Sequence, residues 1–358
     1  MPSAAPDVSV PIPMLLAFAE RLLRRLDVPT DDARLTAHIL LQADLRGIES
    51  HGMAHLVDFY IRRIQQGVVN PRPEPRVTSE ATSAATIDGD RGLGFVVGHR
   101  AMQLAIDKAA ETGVGIVTVA NSTHYGAGAY YGMMALDREM IGLSMTTGGK
   151  LLVPPGGRER AIGTNVLSMA APAPRGFPYV LDMATTVVAA GKLEIAIRRG
   201  RAIPEGWALD AEGNALSDAA QFRSGALLLP LGGSATTGAY KGFGLAMMVD
   251  ILCGALSGFG TSTVIEPGTA AHCFGALRID AFGPLDEYLR RTGELIDRVK
   301  ESAKADGVAE ITIAGELEHR LAQERRADGA VPLHPAIVRG FRDAAEELDV
   351  PFDLLEDV

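Results

Sequence analysis

The chain has 358 residues, 47% hydrophobic and 22% charged, enough apolar material for one large domain or two intimate ones. Its formal charge is −10, and runs of Lys or Arg never exceed pairs such as Arg198-Arg199, so a sequence-independent grip on polyphosphate is excluded and no nucleic-acid partner is expected. Nowhere do about 18 apolar residues run together, so no membrane span is expected. Met1 to Val10 lacks the basic-then-apolar layout of a secretory signal, which makes the expected compartment cytoplasmic.

Residues 11–47 read as two amphipathic helices. Leu15, Phe18, Ala19, Leu22 and Leu26 recur at helical spacing, and Asp27-Val28-Pro29 stops the first helix. Thr30-Asp31-Asp32 is expected to cap the second, which carries Leu35, Ile39 and Ala43. A third helical stretch is predicted from His55 to Gln66. The proline-rich segment Asn70 to Pro75 then marks the clearest boundary in the chain. Beyond it, strands are predicted at Ala84–Ile87, Val114–Ala120 and Ile141–Thr146. They alternate with helices at Gly98–Thr112, Tyr130–Arg138, Lys192–Arg199 (opened near Thr185) and Gly244–Leu256. Helices return at Leu285–Lys304, Glu316–Arg326 and His334–Glu347. The division expected is a helical, substrate-side part over residues 1–75, joined by 305–358, and an α/β cofactor-binding body over 76–304. Cys253 and Cys273 lie among apolar residues without metal-ligand spacing and read as reduced core thiols.

Four segments carry chemistry. Gly92-Leu93-Gly94, with Gly98 following, invites a dinucleotide-loop reading. That fingerprint follows its strand directly and is answered by an acidic residue ending the next one. Here a turn intervenes and the next strand ends in Asn121, so a glycine-rich strand-to-helix turn is expected instead. His51 and His55 have the i, i+4 spacing of a zinc-binding helix; no third ligand lies nearby in the sequence, although His124 could approach in space. However, Gly52 replaces the glutamate such a site uses as base. Acid–base or substrate contact is the preferred reading of this pair, and no metal is expected. His124 follows a buried strand and is flanked by Gly126 and Gly128, where α/β proteins place working groups. Its imidazole exchanges protons near neutral pH, as alcohol oxidation requires. Tyr240-Lys241-Gly242 opens a helix, and a cation among exposed amides favours a bound phosphate.

Six motifs occur in a fixed order: Ser50-His51-Gly52, Asn121 to His124, Gly163-Thr164-Asn165, Asp182 to Thr185, Pro204 to Asp210, and Tyr240-Lys241-Gly242. In this the chain resembles the malate/L-lactate dehydrogenase family, strongly from Ala33 to Gly258 and loosely around Gly315-Glu316. The resemblance implies a mixed sheet flanked by helices, without a Rossmann unit, in a homodimer. It also implies NAD or NADP as cofactor. Carried over, the cofactor contacts would be His124, Tyr125, Gly126, Ala127 and Gly128, then Gly148, Asp182, Met183 and Ala184, and finally Tyr240, Lys241, Gly315, Glu316 and Leu317. Ser50 would orient His51, and Thr164 would face the substrate.

Two departures bear on substrate. His55 stands where relatives carry an arginine, so the bidentate carboxylate fork is missing. Lys192 stands where imine-reducing relatives carry an aspartate. The expected activity is therefore hydride transfer between a nicotinamide and a small 2-hydroxy/2-oxo acid. In this reading His124 is first choice as proton shuttle and His51 second. An NADPH-dependent cyclic imino-acid reductase and, more distantly, a zinc-dependent hydrolase are the alternatives.

Overall fold

The structure is a computed structural model that describes residues 6–210 and 212–355. Its centre is a seven-stranded mixed sheet, ordered Arg76–Glu80, Ala84–Asp88, Val114–Thr123, Thr269–Arg278, Met140–Thr146, Val166–Ala171, Tyr179–Ala184. Ala84–Asp88 runs parallel to Val114–Thr123, and the other neighbours are antiparallel. Helix Gly94–Thr112 covers one face. It packs Val97, Ala101, Met102, Ala105 and Ala109 against Val117, Val119, Phe274 and Ala276. A sheet buried this way tolerates the alanine-rich strand Thr269–Arg278 at its centre, a strand that its sequence does not announce. This is the mixed, non-Rossmann α/β architecture expected.

A second core forms where helices Ile12–Arg25 and Thr30–Leu45 pack with residues 56–64 and residues 322–345 contribute Ala322, Val331, Val338, Phe341 and Ala344. Val8–Pro11 pairs antiparallel with Ala330–Leu333, tying the two ends together through backbone hydrogen bonds. Phe18 meets Phe341 and Phe352 at 5.7 Å centroid separation, contacts worth about 0.5–1.5 kcal/mol each beyond their buried area. A small four-stranded sheet orders Ala208–Leu209, Leu227–Leu228, Lys150–Leu152 and Ile162–Gly163.

Several boundaries differ from expectation. Thr30 lies inside its helix, whose N-cap is Pro29 with no side-chain cap; Asp31 and Asp32 occupy the first turn instead. The stretch expected as helix from His55 consists of short turns followed by a π-helical segment, Leu56–Ile61, before Arg62–Gln65. The helix expected to open near Thr185 begins at Ala190, because the Thr185 amide donates to the Thr164 carbonyl and starts no helical turn. The helix expected at Gly244 begins at Ala239 and passes into a π-helical turn at Asp250–Ala255. His334 caps the last helix, accepting from the Ala336 amide. Cys253 and Cys273 are free and buried in one cluster, Cys273 within strand Thr269–Arg278. Among the described residues, no helix is long and apolar enough to cross a membrane.

Candidate active site

A cleft of about 1410 Å³ opens beside the end of the sheet. Ser50, His51 and His55 form one wall. His124, Gly126, Ala127 and Gly128 face it from the loop after strand Val114–Thr123. Gly148 and Thr164 line it from the small sheet's side, Asp182, Met183 and Ala184 from the last strand of the main sheet, and Gly315 and Leu317 from the start of helix Glu316–Asp328.

The histidine wall is set by helix Thr30–Leu45. Asp44, buried in its last turn, accepts the Met53 amide at 2.8 Å and so pins the segment carrying His51 and His55. Gly52 permits this approach, because a Cβ there would stand 2.1 Å from Asp44 Oδ1. Burial pushes the Asp44 carboxyl up to about 7, against the pull of the Met53 amide and Arg325. Ser50 Oγ lies 2.9 Å from His51 Nδ1. Arg199 bonds to Asp7 and Glu49, tying helix Ala190–Arg198 to the same segment.

The opposite wall follows from glycine. A Cβ on Gly94 would stand 2.2 Å from the Thr123 carbonyl oxygen, so helix Gly94–Thr112 begins against the backbone that carries His124. Thr123 Oγ1 completes the joint, donating to the Gly92 carbonyl and accepting the Gly94 amide. Gly92 to Gly94 therefore form a close-packing turn into the helix, which starts at Gly94 and not at the expected Gly98, and Gly92 and Gly94 do not line the cleft.

The three imidazoles form a stack. His51 and His124 have ring centroids 5.6 Å apart with planes at 22°, and His51 and His55 stand 6.1 Å apart at 6°. Stacked rings hold their in-plane lone pairs side by side and do not aim them at one point. Among the described residues no group of three or more His, Cys, Asp or Glu is placed to hold a metal ion. Burial lowers His51 to about 4, aided by His55, and lowers His55 to about 4, aided by Arg198 and Arg63. His124 falls well below the usual imidazole range for the same reason, with His51 and His55 adding to it. All three rings are therefore neutral near pH 7.

Sequence reasoning missed several groups here. Tyr60 and Phe59 leave the π-helical turn toward His124, with Tyr60 Oη 2.6 Å from His124 Nδ1 and the Phe59 ring edge-on at 5.0 Å. Arg63 lies over the Phe59 ring at 3.7 Å and lines the cleft. Arg46 is buried at the cleft wall facing Asp182 and Glu318, and its Nε has no hydrogen-bond partner. Asp182, by contrast, was among the expected contacts; it accepts the Ala129 amide at the start of helix Gly128–Met134, and burial raises its carboxyl to about 6. The one usable signal was Asp44, a carboxylate four residues after Leu40 on an otherwise apolar helix face.

Four expected cofactor contacts stand away from the cleft. Tyr125 is buried in the sheet core, its hydroxyl 2.9 Å from Ser144 Oγ. Tyr240 is 66% exposed on the outer surface, and Lys241 lies beside it, 5.9 Å from its ring. The Glu316 carboxylate is taken by Lys300, Arg320 and the Ile313 amide. None of the four lines the cleft of the single chain.

The chain matches the malate/L-lactate dehydrogenase family over residues 10–342. It belongs to that family. It is 43% identical over 349 residues to a malate dehydrogenase from Pyrococcus horikoshii, covering 96% of each chain. It is 38% identical to an L-sulfolactate dehydrogenase from Methanocaldococcus jannaschii over 85% of this chain and 88% of that one. The solved malate dehydrogenase from Entamoeba histolytica superposes with a TM-score of 0.93 at 30% identity, covering 97% of this chain and 99% of that one.

The family implies a nicotinamide dinucleotide, and the cleft has the features such a group needs. Its volume exceeds the roughly 300–1,000 Å³ of common small-molecule sites, leaving room for a dinucleotide beside a small acid. Gly149 lines it with open space where a Cβ would project. The unpartnered Arg46 Nε supplies a buried donor for an anionic or polar group. Residues from Gly126 to Gly128, Gly148, Met183 and Gly315 would hold the dinucleotide.

Proposed function

We propose that this chain is a nicotinamide-dependent dehydrogenase of small 2-hydroxy acids, using NAD or NADP and working as a homodimer. The observation carrying the reading is the pair of imidazoles, His51 and His124, stacked 5.6 Å apart in a cation-lined cleft. When bound, the nicotinamide accepts the hydride from C2 of the acid or returns it. The imidazoles handle the oxygen: one exchanges its proton and one stabilises its charge.

Carboxylate recognition falls to the cations around His55. Arg63 has no carboxylate partner among the described residues, while Lys192 lines the cleft from helix Ala190–Arg198. A bound carboxylate beside the imidazoles favours their protonated forms, so the acid itself tunes the shuttle. Lys192 also supports hydroxy-acid over imine chemistry, since a cation repels an iminium. Support for the homodimer comes from the exposed apolar row Tyr240, Met247, Ile251 and Leu256.

The test is a screen of 2-oxo acids, including oxaloacetate, pyruvate and sulfopyruvate, with NADH and NADPH, followed at the nicotinamide absorbance. Turnover of at least one acid is expected. Turnover of a cyclic imino acid alone would reject the reading. Sedimentation at micromolar concentration checks the dimer, and a fully active monomer refutes it.

A further inference from the structure

Tyr60 stands five residues beyond His55, and no motif includes it. It is 1% exposed, wedged against Phe95 with ring centroids 4.7 Å apart. Its hydroxyl reaches His124 Nδ1 at 2.6 Å, and the backbone N–H of Gly126 donates to that same nitrogen over 3.3 Å. A backbone amide can only donate, so Nδ1 is the accepting side of this ring. The proton of the neutral imidazole then sits on Nε2. Burial raises the Tyr60 phenol above its usual range, so it keeps its proton and donates as well. No described residue bonds to His124 Nε2, and the ring lines the cleft, so Nε2–H is the edge presented to a ligand.

His51 is held differently. Its Nδ1 meets Ser50 Oγ at 2.9 Å, and a hydroxyl accepts as readily as it donates. With Nδ1–H donating to Ser50, Nε2 carries a free lone pair. In that tautomer of His51 the two stacked rings border one space with opposite capabilities, one donating and one accepting.

We propose that Tyr60 is a positioning residue which, with the Gly126 amide, locks His124 in the Nε2–H form, so that His124 donates to the substrate's C2 oxygen while His51 takes the proton. This rests on the dehydrogenase reading and exchanges the roles expected from sequence. In oxidation the hydroxyl proton passes to His51 Nε2 and the C2–H bond breaks, its electron pair leaving as hydride to the oxidised nicotinamide. The C2–O bond becomes a carbonyl, whose oxygen accepts from His124 Nε2–H. Reduction runs the same transfers backwards, with His51 protonated at the start.

The experiment has a spectroscopic arm and a kinetic arm. Long-range ¹H–¹⁵N correlation of histidine-labelled full-length protein at pH 7.5, with His124 assigned through its absence in His124→Gln, shows which ring nitrogen bears the proton. Nε2–H is expected, and in Tyr60→Phe a mixture of tautomers. Tyr60→Phe should lower kcat about ten-fold, as loss of one hydrogen bond to a reacting group implies, with substrate KM and cofactor Kd within two-fold. A side-chain amide donates but is no base. His124→Gln should therefore keep at least ten-fold more kcat than His124→Ala, while His51→Gln is as slow as His51→Ala. An Nδ1–H tautomer in the wild type overturns the proposal, as does rescue by glutamine at 51 but not at 124. If no 2-oxo acid is turned over, the dehydrogenase reading fails, while the spectrum still decides what Tyr60 does to His124.

Discussion

Gly52→Ala should disable the histidine wall without touching a histidine. Gly52 has φ −96° and ψ −151°, extended values that alanine adopts freely, so the substitution adds no backbone strain. Its cost is steric. The new Cβ would lie 2.1 Å from Asp44 Oδ1, 2.4 Å from Cγ and 2.6 Å from Oδ2. Non-bonded heavy atoms settle at about 3.5 Å, so the carboxylate and the segment must part by roughly 1 Å or more. The 2.8 Å bond from the Met53 amide cannot survive that shift. Losing that bond leaves a buried amide and carboxyl oxygen unsatisfied at a cost of about 1–3 kcal/mol, which should appear as a lowered Tm. His51 adjoins the displaced residue, and misplacing a working group by about 1 Å costs on the order of 10² in rate. We expect kcat to fall about 100-fold in steady-state assays, with cofactor Kd nearly unchanged. Adding Asp44→Ala to Gly52→Ala removes the clash and should recover part of that loss. Wild-type kcat and Tm in Gly52→Ala would refute the reasoning.

Other perturbations separate binding from proton transfer. His55→Ala should raise substrate KM several-fold with kcat within about three-fold, while His55→Arg should lower KM for simple 2-oxo acids by restoring a bidentate fork; steady-state kinetics on one acid decides both. Oxidation needs a neutral imidazole, so its rate falls as pH drops through the shuttle's pKa. That pKa should lie near 4 in the kcat/KM profile of the free enzyme and higher in the kcat profile, where the bound carboxylate favours protonation; equal values refute the tuning argument. Arg46→Met should weaken cofactor binding about ten-fold by fluorescence titration, as loss of a charge-assisted contact predicts, and an unchanged Kd would remove Arg46 from the cofactor site.

The ordered motifs and helical spacings were enough to place this chain in its family, because they are local: a histidine after a buried strand and amphipathic repeats are written within a few residues. The helices at the two chain ends and the strand before His124 were legible for that reason. The strand Thr269–Arg278 was not, since alanine and glycine carry little strand preference and its place between two other strands is a tertiary fact. The same holds for the site. His51, His55 and His124 were readable as candidates, but only the packing of helix Thr30–Leu45 against the 49–55 segment stacks them. Tyr60, Arg63 and Arg46 have no motif, because they act by direction, and side-chain direction depends on a π-helical turn and on neighbours far along the chain. Lys241, read from a local pattern at a helix start, stands outside the cleft of the single chain. Sequence determined which chemistry is carried; the tertiary structure decided which nitrogen faces the cleft, because a hydrogen-bond donor from a distant residue sets the tautomer.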